Sequence, residues 1–291
     1  MPFLTRARTL APAAAGTVSG MSAAGRGPVS GLLLAAVSLG ALAAGGLVLL
    51  AAWSVLAPAS TQAPQATAPA GASSEAAETD GWAAWDHNDD GHPVRWDPCS
   101  PINLVINDAG GYAGFRADLD AALDEVRELS GLQIRVLGEA DERPHPRRPV
   151  HQPDRYGDDW APVLIAFAEA GENDLPLLPS DRGLASPVAV GPEGDRVYVT
   201  GQIVLNAERD DLVAGTDDRA EAWGATLRHE LGHLLGLAHV DDERQLMYPH
   251  ATQAPVAWGD GDRRGLAALG AGGCLEVPDA QPVDVEMGPV H

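Results

Sequence analysis

The run His229-Glu230-Leu231-Gly232-His233-Leu234-Leu235-Gly236-Leu237-Ala238-His239 constrains this chain more than any other stretch. If residues up to Leu235 are helical, His229 and His233 stand four apart and project from one face. Gly236 can adopt positive φ without a Cβ penalty, so the helix can stop there and the chain can turn. That turn returns His239 as a third ligand to the same ion. Three imidazoles suit Zn2+ and leave one coordination position open, and Glu230 beside it is placed to act as general base. The spacing therefore predicts a hydrolytic zinc site with His229, His233 and His239 as ligands and Glu230 as the catalytic residue.

A polar loop, Val240–Arg244, leads from His239 to Gln245-Leu246-Met247-Tyr248-Pro249. The histidine motif with a methionine at this distance resembles the metzincin clan of zinc metalloproteases, in its matrixin branch. The resemblance implies a zinc metalloendopeptidase with one catalytic Zn2+ and a peptide or protein substrate. It implies an α+β domain whose twisted mixed sheet carries an active-site helix and a C-terminal helix. It also implies that Met247 forms a turn beneath the metal and that Tyr248 and Pro249 wall the substrate cleft. Gly183-Leu184-Ala185 is similar to a matrixin rim segment, which would place Leu184 and Ala185 along an extended substrate. Two positions depart from the matrixin pattern, Val240 and Ala251.

Composition divides the chain unevenly. Residues 1–74 hold Arg6, Arg8 and Arg26 and no acid, so all 41 acidic residues lie from Glu75 onward. A net charge of −22 argues against nucleic acid as a partner. Gly31 to Ala57 is an uncharged apolar run, and about 20 helical residues suffice to cross a bilayer. It is longer than the h-region of a cleaved signal peptide and has 30 residues before it. The expected organisation is a cytoplasmic segment 1–30, a transmembrane signal-anchor 31–57, an Ala/Pro/Ser/Thr linker 58–80, a metalloprotease domain 81–278 and a tail 279–291. The catalytic domain is then outside the cell, anchored at the membrane; secretion after signal cleavage is the alternative. In that oxidising compartment Cys99 and Cys274 are expected to form a disulfide, rather than Cys99 capping the zinc. Oligomeric state leaves no signal in the sequence.

Within the domain, Ile102–Asn107 reads as a strand, and Phe115, Leu119, Ala122, Val126 and Leu129 recur at helical spacing up to Gly131. Leu132, Ile134 and Val136 alternate as a strand with one buried face. Val163–Phe167 reads as a strand covered on both faces. Pro187–Gly191 and Val197–Asn206 read as a hairpin. Asp218 with Glu221 is expected to cap the zinc helix, which packs through Trp223, Leu227, Leu231 and Leu234. Asp262–Leu269 closes the domain as a helix. Asp86–Gly91 matches the opening of a calcium loop with Asp97 at its twelfth place; it lacks flanking helices and reads as a turn, so Ca2+ is possible but unsupported. The loop Arg143–Asp159, with His145, His151, Asp154, Asp158 and Asp159, reads as solvated rather than as a second metal site. The rival functional reading is a catalytically inactive membrane-anchored binding or adhesion module that retains a structural metal site.

Overall fold

The computed structural model describes residues 81–216, 221–250 and 255–285. The expected membrane segment 31–57, the linker 58–80, Asp218 and Ala251 lie outside the described residues. Among the described residues, no helix is long and apolar enough to cross a membrane.

Six strands form one sheet: β1 (Arg95–Trp96), β2 (Ile102–Asn107), β3 (Ile134–Glu139), β4 (Val163–Ala168), β5 (Gly183–Val190) and β6 (Val197–Asn206). The order is β1-β6-β4-β2-β3, with β5 paired to the other side of β6. Every pair is parallel except β5 with β6. The sheet is thus mixed, but more parallel than the α+β expectation implied. The physical reason is the crossover helix α1 (Phe115–Ser130), which joins β2 to β3 and lets them run side by side in one direction.

Side chains alternate across this sheet with the two-residue period of a strand. Val163, Ile165 and Phe167 of β4 join a core with Leu119, Leu123, Leu227, Leu231 and Leu266. Leu164 and Ala166 face the opposite way, against Ala140 and Tyr156. Helices α1, α2 (Trp223–Leu235) and α3 (Asp260–Gly270) therefore cover one face, and loops cover the other. Both faces of β4 are buried, as its continuous apolar run implies.

Two expectations are corrected here. Ile134 is buried, but Val136 is 36% exposed, because β3 is the outermost strand and has a neighbour on one side only. The loop 143–159 is not simply solvated, since Arg148 and Val150 are buried beneath it against the loop-covered face. Arg148 makes a two-pronged contact with Glu142, 2.9 Å at each nitrogen, and donates to the carbonyls of Pro162 and Gly201. Tyr156 and Gln152 complete the carboxylate's partners. Burial pushes Glu142 up, but Arg148, Tyr156 and Gln152 together outweigh it and hold the carboxyl below its usual range. The remaining expected elements lie close to where the sequence puts them. Gly131 ends α1 at φ 74°, its N–H returning to the Arg127 carbonyl. Cys99 and Cys274 form a disulfide across 175 residues.

Candidate metal centre

Helix α2 begins without a side-chain cap. Its N-cap is Ala222, and the first N–H groups are satisfied by backbone: Trp223 donates to the Val213 carbonyl and Gly224 to the Gly215 carbonyl. The loop thus supplies acceptors of the kind that a cap would provide, while Asp218 of the expected cap lies outside the described residues. That loop is fixed in turn by Asp118, which accepts the Gly215 N–H at 2.7 Å and the Tyr112 hydroxyl at 2.8 Å. Tyr112 lies flat on Trp223, with ring centroids 4.9 Å apart. At its other end α2 stops at Gly236, φ 108°, and the Leu237 N–H returns to the Gly232 carbonyl. A Cβ at Gly236 would press within 3.1 Å of the Tyr198 ring.

The turn brings His239 back to the helix. The three Nε2 atoms stand 3.1, 3.1 and 3.2 Å from one another. On the far side of each ring the tautomer is set: His229 Nδ1 donates to the Leu246 carbonyl at 2.9 Å, and His233 Nδ1 to the Leu237 carbonyl at 2.8 Å. With Nδ1 protonated, the Nε2 lone pairs of these neutral rings point at one another and have no proton to share. Burial, and then neighbouring His239, lowers His229 to about 4; burial and the other two imidazoles hold His233 well below its usual range. Converging lone pairs that resist protonation are what a dication needs. Ligands at about 2.0–2.1 Å in tetrahedral array would sit about 3.3 Å apart, close to the spacing found. The residues fit zinc. Among the described residues, no fourth His, Cys, Asp or Glu joins this cluster.

Glu230 is buried on the same helix, and burial, then the charge of Asp181, raises its carboxyl to about 8. A dication nearby favours the carboxylate instead. A Cβ at Gly183 would lie 2.9 Å from Glu230 Oε1, so β5 passes directly against this carboxyl and only glycine leaves it room. Beneath the ligands lies Met247, buried, with its sulfur where a Cβ at Gly232 would come within 2.6 Å. Glycine between the first and second leucines of the motif lets the helix rest on the methionine. Asp262 of α3 holds that turn, accepting the Leu246 N–H at 2.6 Å and the Gly259 N–H at 2.8 Å. Gln245 accepts the Gly261 and Asp262 N–H groups in return.

The other expected site residues are placed less uniformly. Leu184 and Ala185 are buried, so their side chains belong to the core and only the β5 backbone reaches outward. Tyr248 is half-buried beside His250, and Pro249 is exposed. Asp86 is taken up by Arg196 at 2.6 and 2.9 Å, and Asp97 by the Cys99 and Leu275 N–H groups and Ser100, which rules out a shared calcium loop. The grouping of Asp97 with Cys99 and Cys274 is no metal site, since the two sulfurs are bonded to each other. Sequence reasoning missed Asp262; an acid in the first turn of an apolar-faced helix was the only signal for it.

Residues 158–269 match the model of the matrixin family, peptidase M10. The matched stretch contains all three histidines, Glu230 and Met247. The chain is matrixin-like. Together with the histidine cluster, the matrixin match supports a zinc metalloprotease. No curated protein matches the chain.

Proposed function

We propose that this chain is a zinc-dependent endopeptidase in which Glu230 is the general base. The observation that carries the reading is the pairing of three converging, neutral imidazole nitrogens with a carboxyl on the same helix, aimed between α2 and β5. Zinc held by His229, His233 and His239 would supply a Lewis acid that polarises the scissile carbonyl and makes water acidic enough to attack. The protein's own groups do the rest. The carbonyls of Leu246 and Leu237 hold the His229 and His233 rings in the ligating tautomer. Glu230 accepts the proton of the attacking water on a carboxylate oxygen and returns it to the departing amine nitrogen. β5 pairs with β6 on one side only, so an extended peptide can pair its main chain with the other edge and lie across Glu230. Tyr248 and Pro249 wall the far side of that cleft. The absence of a fourth protein ligand among the described residues favours this reading over an adhesion module with a structural metal, since structural zinc sites are usually closed by four.

Glu230→Ala tests it. The variant should keep wild-type zinc content and lose at least about a hundredfold in kcat/KM on internal peptide bonds. Equal turnover by the two proteins would remove Glu230 from the mechanism.

We further propose that residues 31–57 tether the domain outside the cell. Support comes from the uncharged length of that run, the arginines before it and the acids after it. N-terminal sequencing of cell-associated protein should find residues before Gly31 still attached. A cell-associated form that begins after Ala57 would overturn the tether.

A further inference from the structure

Residues 81–86 lie outside the matrixin match, yet Trp85 meets a ligand ring, that of His233. The main chain of this segment pairs antiparallel with the turn that delivers His239: Ala84 bridges Leu237, Trp85 donates to the Gly236 carbonyl at 2.7 Å, and Ala238 donates to the Ala83 carbonyl at 2.9 Å. The Trp85 ring meets the His233 ring edge-on, with centroids 5.0 Å apart. Both ends of the segment are anchored. Trp82 packs where a Cβ at Gly265 of α3 would come within 2.9 Å, and Asp86 grips Arg196 with both oxygens.

The third ligand stands outside the helix, and backbone hydrogen bonds on either side of it hold its main chain. Val240, after it, donates to the Met247 carbonyl, and Ala238, before it, donates to Ala83. One of the two hydrogen bonds that bracket His239 therefore comes from residues 81–86. The same segment backs the carbonyl-bearing residue Leu237, which receives the His233 Nδ1–H. We infer that residues 82–86 form a clip that presets the metal centre, with Trp85 as its positioning residue for His233 and the Ala83 carbonyl as its hold on His239. Nothing in the histidine motif encodes this contribution. A stretch confined to residues 158–269 would hold every ligand and still lack it.

The test is zinc affinity of the full chain, measured by competition with a chromophoric chelator, together with the visible spectrum of the cobalt-substituted protein. Residues that support metal ligands without binding the metal are typically worth 10–100-fold in affinity. Trp85→Ala should weaken zinc binding by about that factor and change the cobalt spectrum, which reports ligand geometry and which a loss of mere stability would leave alone. Trp85→Phe, which keeps an aromatic edge against His233, should restore most of the affinity. Asp86→Asn loosens the clip from Arg196 without altering any group near the metal, and should lower affinity in the same direction with faster hydrogen exchange at the Ala238 amide. Unchanged zinc affinity and cobalt spectrum in a folded Trp85→Ala protein would overturn the inference. If Trp85→Ala does not fold, Asp86→Asn decides: wild-type affinity together with faster Ala238 exchange would show that the clip does not position the ligands.

Discussion

Residues 223–249 and residues 140–161 both carry histidines amid acidic side chains, and their physical logic is opposite. In the first, the ligands and the carbonyls that orient them are near in sequence. His233 bonds the carbonyl four residues on, Gly232 clears space for a methionine fifteen residues on, and the three ligands fall within one helix and its turn. In the second, the partners are far apart. Arg148 reaches the Gly201 carbonyl, Gln202 exchanges hydrogen bonds with the backbone of His145, and the Trp160 indole donates to the Pro278 carbonyl. The first region holds a metal with neutral nitrogens that must not be protonated. The second holds itself together with a buried cation and a buried carboxylate. Loops can cover a sheet face without a hydrophobic helix, provided that their charges are matched inside.

That contrast predicts where the molecule is most vulnerable to a single side-chain change away from catalysis. Arg148→Met should strand the Glu142 carboxylate in a buried site, a loss of about 3–5 kcal/mol. For a domain of this size that corresponds to a fall in melting temperature of roughly 6–20 °C. Pairing it with Glu142→Leu should recover most of the loss, because an apolar pair of similar volume leaves no charge uncompensated. The pH dependence has a definite sign. The Glu142 carboxyl is held below its usual range in the folded protein, so its contribution is complete above an unfolded pKa of about 4.3 and disappears as pH falls through the lower folded value. Thermal melts between neutral pH and pH 3 should therefore show a shallower acid decline for Glu142→Gln than for wild type. A single mutant melting within a degree of wild type would show that loop 143–159 is solvated after all.

The same contrast explains what could be read in advance. Helix α1 and the ligand helix announce themselves through periodicity, and strand β4 through an unbroken apolar run, because these patterns depend only on nearby residues. The ligand set was legible because metal chemistry demands a spacing. Val136 was misread because alternation shows a two-faced strand but not whether a neighbour covers it. The loop carbonyls of Val213 and Gly215 that receive the first N–H groups of α2 were not legible, because backbone acceptors leave no mark in composition. The loop 143–159 read as solvated because burial of the Arg148 charge is decided by partners about fifty residues away. Leu184 and Ala185 face opposite sides of the sheet and are both buried, because both faces of β5 are covered there, which leaves its backbone for a substrate.

A smaller effect sharpens the comparison from the side of the metal helix. Replacing glycine by alanine inside a helix ordinarily stabilises it by about 1 kcal/mol, because alanine loses less backbone freedom on folding. At position 232 the new Cβ would lie 2.6 Å from the Met247 sulfur and 3.4 Å from the Trp258 ring, both buried. Met247 has little room to retreat, since Asp262 holds the neighbouring Leu246 N–H and the Val240 N–H holds the Met247 carbonyl. Overpacking of this kind costs about 1–3 kcal/mol, enough to cancel the helical gain and reverse its sign. Gly232→Ala should therefore melt lower than wild type in the metal-free state. It should also bind zinc more weakly, because lifting α2 off the methionine displaces the Leu246 carbonyl from His229 Nδ1. A variant that melts higher and binds zinc as wild type does would mean that the turn beneath the ligands yields, and that the metal helix is less tightly seated than its neighbours imply.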